Sequence, residues 1–239
     1  MLVVEDTDIT LDLNGHTLDR NLYTADADGH AIIVRSNAIL YLTNNSDKKA
    51  IITGGFANNG GAINNKGILY VDNVAFKDNH ASYTDGKTIG RGGAIYNEGT
   101  LTMRGCIIGG YTDDESNSAS DGGAIYNNTT GDFFLKDVII RNNVSVNHSG
   151  GGIDNYGKVL LEDCELSFNR SNSVNAGAIW NGENGEVTVY GCTIKGNTAE
   201  NGCGGGIFNK GTMSLMGSTE YPCTVSENSA FEAAESITK

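Results

Sequence analysis

Two stretches of the sequence carry polar and charged residues that could do chemistry, and neither follows an apolar pattern. The stretch 80–91 contains a tyrosine, an aspartate and two basic residues, and the stretch 112–121 contains three consecutive acidic residues. Such carboxylates can ligate Ca²⁺ or serve as acid and base in glycan cleavage, but a solvated acidic loop is the simpler explanation. We therefore expect no cofactor, with Ca²⁺ as the alternative. The residues concerned are Tyr83, Asp85, Lys87, Arg91, Asp113, Asp114 and Glu115.

A second group of candidates occupies one position of a recurring motif, Gly-[Ala/Gly]-Ile-x-Asn. In a strand, position x faces away from the isoleucine, so its side chain is expected to point outward while the isoleucine points inward. An exposed row of aromatic side chains is a natural platform for sugar rings or for the surface of a partner. Stacking that only stiffens the sheet is the alternative. The aromatic occupants are Tyr96, Tyr126, Trp180 and Phe208, and Asn64 and Asp154 fill the other copies.

The elements that must position these residues follow from the repeat itself. The shared isoleucine stands at positions 63, 95, 125, 153, 179 and 207, with a degenerate copy at Ile32, so one repeat is roughly 28 residues long. Between the motifs lie short runs of alternating character, such as Leu69-Tyr-Val71, and such alternation predicts strands. Because equivalent positions recur in the same order, like residues stack on like. We therefore predict an all-β fold, a single-stranded parallel β-helix with three short sheets and about seven to eight coils.

The pattern predicts a single domain over residues 1–239. We divide it into degenerate N-terminal coils at 1–59, regular repeats at 60–229 and a candidate C-terminal cap at 230–239. The first residues lack the basic and apolar regions of a signal peptide, and the repeat begins almost at once. We therefore expect the chain to be a piece of a longer protein.

Asparagines at two turn positions are expected to bond to their equivalents in the next coil and so satisfy the turn amides. One ladder should contain Asn65, Asn97, Asn127, Asn155, Asn181 and Asn209. The other should contain Asn79, Asn143, Asn169, Asn197 and Asn228, and it should be interrupted where Tyr111 takes the position. Counted from this second position, the two long stretches follow on adjacent coils. They are therefore expected to lie on one edge and to share one neighbourhood.

The motifs Gly92-Gly-Ala-Ile95, Gly122-Gly-Ala-Ile125 and Phe76-Lys-Asp-Asn79 resemble the repeats of the chlamydial polymorphic outer membrane proteins. The stretch 9–18 looks like the opening coil of pectate-lyase-like bacterial surface proteins. The resemblance covers nearly the whole chain and implies a right-handed β-helix. The chlamydial family implies adhesion at the cell surface, and the wider superfamily implies polysaccharide lyases, glycosidases or surface proteins of other kinds.

Charge and apolar content narrow the classes of partner. Sixteen basic residues against 29 acidic ones give a net charge of −13. Such a surface repels phosphate backbones, which argues against nucleic acid as a partner. No stretch approaches the roughly 18–20 apolar residues of a membrane span, so we expect no membrane insertion of this segment. The expected partner is a glycan or protein on a host or cell surface.

Four of the five cysteines take one repeat position, which holds a valine in other coils. That equivalence predicts buried free thiols in the core, and a disulfide between neighbouring coils is the alternative. The four are Cys106, Cys164, Cys192 and Cys223, and Cys203 lies in a turn.

Two functional hypotheses remain. No strand carries the cluster of acidic and basic residues that lyase chemistry needs, and neither a metal site nor a Ser-His-Asp arrangement can be read from the spacing. We therefore favour an extracellular domain of a bacterial surface protein that acts as adhesin, stalk or partner-binding surface without catalysis. The alternative is a polysaccharide lyase, a glycoside hydrolase or a glycan-binding module.

Overall fold

The apolar residues of each repeat form strands that pair with the equivalent residues of the next coil. In the computed structural model, which describes residues 1–26, 28–82 and 89–231, these strand pairs are parallel. Ile95 lies in register with Ile63 on one side and with Ile125 on the other. Ile32 pairs with Ile63, so the degenerate copy is a true coil. The parallel β-helix predicted from the repeat is confirmed, and eight coils are described.

Three sheets of eight strands correspond to the three strands predicted for each repeat. Sheet A contains Leu2–Val4, Ile32–Val34, Ile63–Asn65, Ile95–Asn97, Ile125–Asn127, Ile153–Asn155, Ile179–Asn181 and Ile207–Asn209. Sheet B contains Asp8–Asp12, Ile39–Thr43, Ile68–Asp72, Thr100–Arg104, Asp132–Lys136, Lys158–Glu162, Glu186–Tyr190 and Thr212–Met216. Sheet C contains Thr17–Asp19, Ala50–Thr53, Val74–Phe76, Ile107–Ile108, Ile139–Arg141, Glu165–Ser167, Thr193–Lys195 and Thr224–Ser226.

A fourth sheet, which we call sheet D, corrects the prediction of three. Its strands are only two residues long, too short for any alternation to show in the sequence. Phe56–Ala57 follows Gly55, and each later strand follows the second asparagine of its coil. Its members are Phe56–Ala57, His80–Ala81, Ser118–Ala119, Val144–Ser145, Arg170–Ser171, Thr198–Ala199 and Ser229–Ala230. Within the described residues the one helical element is a 3₁₀ turn at Asp113–Glu115.

The core is a single column of stacked inward side chains. Ile95, Leu101 and Ile108 show how one coil contributes an inward residue from each of three sheets, and all three are fully buried. Cys106, Cys164 and Cys192 lie in the same core as free thiols, which confirms the prediction made from the valine equivalence. Cys223 is a half-buried free thiol, and Cys203 is half-buried.

The first asparagine ladder is continuous from Asn65 to Asn209. Each side-chain amide donates to the oxygen of the next asparagine, at 2.7 Å from Asn65 to Asn97 and at 2.8 Å from Asn97 to Asn127. The bonds continue at 2.7–2.8 Å through Asn155 and Asn181. The predicted ladder is confirmed, and it fixes the turn between sheets A and B at the same place in the six coils from Asn65 to Asn209.

The second ladder is also continuous, and the predicted interruption at Tyr111 is wrong. Asn117 takes the position, accepting from Asn79 at 3.0 Å and donating to Asn143 at 2.9 Å. The extra residues of this coil enter before the asparagine, between sheets C and D, and Tyr111 lies in that insertion with the Arg141 guanidinium 3.9 Å from its ring centroid.

The first and last described coils continue the β-helix. Leu2–Val4 and Asp8–Asp12 pair with the next coil, so the stretch 1–59 is built like the rest. Ser229–Ala230 closes sheet D at the other end. Most of the candidate cap at 230–239 lies outside the described residues.

Candidate binding face on sheet A

The outward side of sheet A carries the aromatic residues at position x of the motif, and we call it the sheet A face. Tyr96 stacks on Tyr126 with ring centroids 5.5 Å apart and planes inclined by 10°. Trp180 stacks on Phe208 at 4.8 Å and 2°. The parallel register of sheet A places each ring above its equivalent, so the fold itself creates the stacks. Asp154 lies between the two pairs, on the coil that follows Tyr126 and precedes Trp180.

The expectation of an exposed row is wrong for the first pair. Tyr96 and Tyr126 are only 7% and 6% exposed, whereas Trp180 and Phe208 are half-buried. The tyrosines are covered because neighbouring groups pack on them: the guanidinium of Arg91 lies 5.1 Å from the Tyr126 ring centroid, and the Tyr156 ring lies 5.6 Å from it. The accessible aromatic surface of this face is therefore at Trp180 and Phe208.

A cluster of charged residues occupies the middle of the sheet A face. Asp121 lies 3.7 Å from the Nε of Arg91 and 3.2 Å from the Nδ1 of His148. Asp154 is 1% exposed, and Tyr126 and Tyr156 belong to the same group. Arg91 and His148 remain partly exposed, so the cluster has an accessible rim and a buried floor.

Burial sets the protonation of this cluster. Desolvation raises the pKa of Asp154 well above its usual range, the charge of Asp121 raises it further, and Arg91 opposes both. Burial also raises the pKa of Asp121, against the opposing charges of His148 and Arg91. Burial raises the pKa of Tyr156 to about 12, with Asp154 adding to the shift. These carboxyl groups are therefore held closer to their protonated forms than carboxylates at the surface.

Three polar atoms of the sheet A face are buried and have no hydrogen-bond partner among the described residues. They are the Nε of Arg91, the Oδ1 of Asp154 and the Nε1 of Trp180. Buried polar groups are nearly always paired, so unpaired ones call for a water or a ligand. Of these atoms, the Nε of Arg91 faces the Oδ2 of Asp121 at 3.7 Å, and the Trp180 indole lies within bonding reach of Tyr156. The Oδ1 of Asp154 is therefore the atom that most needs a water or a ligand.

Arg91 and Asp121 share a position that the sequence reasoning did not recognise. Each immediately precedes a Gly-Gly pair, and parallel bridges join Asn59 to Arg91 and Arg91 to Asp121. Gly92 and Gly122 follow with φ of 67° and 62°, a conformation suited to glycine. Comparing the residue before each Gly-Gly pair would have revealed this column, because it sits at a fixed distance from the shared isoleucine.

The four loop residues that the structure describes, Arg91, Asp113, Asp114 and Glu115, do not form one neighbourhood as expected. The insertion with Asp113, Asp114 and Glu115 lies between sheets C and D, whereas Arg91 lies between sheets D and A. Glu115 accepts from Lys77 at 2.5 Å and from the Tyr111 amide at 2.7 Å, and Asp113 and Asp114 are exposed. The two loops were predicted to share one edge because Tyr111 was taken to occupy the second asparagine position, which Asn117 holds instead. Tyr83, Asp85 and Lys87 lie outside the described residues.

Sheet B carries a more exposed aromatic pair that was not predicted. Tyr41 and Tyr70 stack at 5.0 Å and 7° and are 41% and 39% exposed. Beside them lies a cleft of ≈ 230 Å³, with Asp72 and Arg104 in its wall. The signal was available: each tyrosine stands between the two inward residues of its strand, and alternation sends it outward.

Two further properties bear on ligands and membranes. Within residues 1–26, 28–82 and 89–231, no three histidine, cysteine, aspartate or glutamate side chains are grouped to hold a metal ion. In the part of the chain that the structure describes, no helix has the length and apolar character needed to cross a bilayer.

The fold and its ladders define a β-helix of stacked repeats, and one family model matches within it. The model of the Chlamydia polymorphic membrane protein (Chlamydia_PMP) repeat matches residues 73–98. That stretch joins the second asparagine motif of one coil to the Gly-Gly-Ala-Ile motif of the next, so the protein is a β-helix with PMP-like repeats. No curated protein and no solved structure matches the chain.

Proposed function

We propose that this β-helix is a domain of a bacterial cell-surface protein that binds a glycan through the sheet A face, in the manner of an adhesin. The observation that carries the proposal is the buried Oδ1 of Asp154, which has no hydrogen-bond partner, between the partly exposed Arg91 and the accessible rings of Trp180 and Phe208. The match to a surface-protein repeat supports the location at the cell surface.

The chemistry of the face favours a sugar over an apolar partner. A pyranose offers an apolar ring face for Trp180 and hydroxyl groups that donate to Asp154 and accept from Arg91. Because Asp154 is buried, an ordered water beneath the sugar can make the link to its free oxygen. A rigid solenoid also presents such a face without an ordering cost on binding.

A second candidate function is cleavage of the bound polysaccharide. Asp121 and Asp154 lie on successive coils, and burial raises the pKa of both. A carboxyl group whose pKa is raised by burial can act as a general acid, and a second carboxyl group beside it is the usual partner. A screen of acidic and neutral polysaccharides for new reducing or unsaturated ends tests this candidate.

The binding proposal is tested by a glycan array followed by titration of the best ligand. Trp180→Ser should weaken the affinity at least about tenfold, whereas Trp180→Phe should keep most of it because a ring face remains. The matched control is the double variant Tyr41→Ser/Tyr70→Ser, which removes an exposed stacked pair from a different sheet. Its affinity should equal that of the wild type. Circular dichroism confirms that each variant is folded.

Four results would count against the proposal. The folded wild type could bind no glycan on the array, or Trp180→Ser could bind as well as the wild type. Loss of binding in the sheet B variant alone would move the site to Tyr41 and Tyr70. Binding to cells that persists after enzymatic removal of their surface glycans would indicate a protein partner.

A further inference from the structure

Three residues that are not recognisable as a group in the sequence form a hydrogen-bonded chain at the start of sheet D. The Oγ of Ser118 lies 2.7 Å from the Nδ1 of His80, and the Nε2 of the same imidazole lies 2.9 Å from the Oδ1 of Asp78. His80 and Ser118 are direct partners in the parallel pairing of sheet D. The contact is therefore set by the register of the β-helix.

The chemistry of the three groups fixes the direction of the chain. An ionised Asp78 can only accept, so the Nε2 of His80 carries the proton. The Nδ1 is then unprotonated and accepts from the hydroxyl of Ser118. This is the arrangement in which an imidazole withdraws a proton from a serine and a carboxylate holds the imidazole in the required tautomer.

The ring of His80 is also held from the other side. The ring of Phe56, its partner on the preceding coil, lies 5.3 Å away and is tilted by 55°. Asp78 occupies a left-handed turn position, with φ of 50°, that is lost at Ser116 on the next coil and recurs on later coils, for example at Asn142 with φ of 51°. The fold itself thus sets the position of all three groups.

A cleft of ≈ 230 Å³ opens directly at this serine. Phe56 and Val146 supply apolar walls, and Ser120 and Asn147 supply polar ones. Asn147 donates to the Oγ of Ser120 at 3.2 Å. The hydroxyl proton of Ser120 has no acceptor among the described residues and can donate to an oxygen in the cleft.

We propose that Ser118 is the nucleophile of an esterase site that removes short acyl groups, such as acetyl, from an alcohol or sugar. The shallow cleft suits a small acyl group, and its opening to solvent supplies the water for hydrolysis. This activity goes beyond glycan binding and uses a different sheet. Asp78 is a positioning residue, and Ser118 and His80 are the catalytic residues.

The reaction balances with water as the only co-reactant. The Oγ of Ser118 adds to the ester carbonyl carbon as its proton passes to the Nδ1 of His80, and Ser120 donates to the carbonyl oxygen. The bond to the alcohol breaks, and His80 gives the proton to the departing oxygen. Water then adds to the acyl-serine, loses a proton to His80, and releases the carboxylic acid as the proton returns to Ser118.

The test uses a fluorophosphonate probe and 4-nitrophenyl acetate with the whole chain. The probe should modify Ser118 with a stoichiometry of one, as read by peptide mass spectrometry. Hydrolysis of the ester should fall to background in Ser118→Ala and by at least about 100-fold in His80→Gln. Asp78→Asn should lower kcat by about tenfold and leave KM unchanged, because only the orientation of His80 is lost.

The matched control is Ser229→Ala, which removes an exposed serine from the same position of sheet D on a later coil. Its labelling and hydrolysis should equal those of the wild type. The proposal is overturned if the folded wild type is not labelled, if the probe is found on other serines at the rate seen for Ser118, or if Ser118→Ala hydrolyses the ester as fast as the wild type.

Discussion

The side-chain amide of Asn79 donates to the Oδ1 of Asn117 across 3.0 Å, although the two residues are 38 positions apart. The same oxygen also accepts from the backbone amide of Asn79, again at 3.0 Å. Asn117 in turn donates to Asn143 and to the carbonyl oxygen of Phe76. One fully buried side chain therefore links three successive coils by bonding to polar groups on the coil before and the coil after its own, and the enlarged loop before it leaves the column intact.

Replacing Asn117 with alanine should destabilise the protein. The change removes the acceptor for the Asn79 amide and the donor for Phe76, and a buried polar group left unpaired costs about 1–3 kcal/mol. We expect a loss of about 2–3 kcal/mol in the free energy of unfolding, measured by urea denaturation. Asn37→Ala is the control, since Asn37 is exposed, and it should change the free energy by less than about 0.5 kcal/mol. Equal midpoints for the two variants would contradict the role assigned to Asn117.

The regular positions of the repeat were predictable because each obeys a strict physical demand. An inward position such as Ile95 must be apolar, and a ladder position such as Asn97 must both donate and accept. Six successive coils therefore carry Ile and Asn at these two positions, and only the first two coils have Val4 and Val34 in place of the asparagine. The place of Asn117 in the second ladder was not predicted, because a constant spacing after the core residue Ile108 was assumed. A solenoid tolerates insertions at its corners, and an insertion there moves the next ladder residue along the chain without changing its place in space.

The side-chain contacts of the charged cluster on sheet A could not be predicted for a different reason. The Gly-Gly pairs place Arg91 and Asp121 in one column, but the two residues are of unlike type, and their position alone does not show which side chains they contact. Their contact with Asp154 and Tyr126 depends on how far each side chain reaches across to the next coil. Tyr126 is buried for the same reason: the side chains of Arg91 and Tyr156 cover its ring, and neither residue belongs to its strand.

Asp154→Asn should make the protein more stable at neutral pH and should flatten the pH dependence of stability. The pKa of Asp154 is raised in the folded state, so between the pKa of an unfolded aspartate and this raised value the folded protein holds a proton that the unfolded chain has lost. Stability then falls as pH rises, by up to about 1.4 kcal/mol per pH unit. Asparagine does not titrate, so the variant lacks this contribution to the pH dependence.

The measurement is a series of urea denaturation curves between pH 4 and pH 8 for Asp154→Asn and the wild type, in one buffer system. The difference in free energy of unfolding should grow with pH and should vanish near the pKa of an unfolded aspartate, about 3.9. A difference that is constant over this range would mean that Asp154 does not retain its proton in the folded state.

The thiols should differ widely in reactivity. Burial raises the pKa of Cys106 from 9.0 to about 12, which lowers its thiolate fraction about a thousandfold, and its sulfur is also shielded from reagents. Iodoacetamide at pH 8 should therefore modify the half-buried Cys203 and Cys223 first, as read by mass spectrometry. In concentrated guanidinium chloride all five cysteines should react together. Early modification of Cys106 in the folded protein would show that its coil opens locally.

Gly182 and Tyr156 should be energetically coupled across the sheet A face. A Cβ atom at position 182 would lie 2.6 Å from both Cδ1 and Cε1 of the Tyr156 ring, so the ring must leave its place beside Tyr126. Gly182→Ala should therefore cost about 1–3 kcal/mol of stability, the usual range for overpacking. It should also weaken glycan binding, because Tyr156 covers the floor formed by Asp154.

A double-mutant cycle separates this effect from an intrinsic preference for glycine at position 182. In the background of Tyr156→Ala there is no ring to displace, so Gly182→Ala should cost less than about 0.5 kcal/mol there, and the coupling energy should equal most of the cost of the single change. Both single variants, the double variant and the wild type are compared by urea denaturation. Additive costs would show that the ring of Tyr156 does not depend on the open space above Gly182.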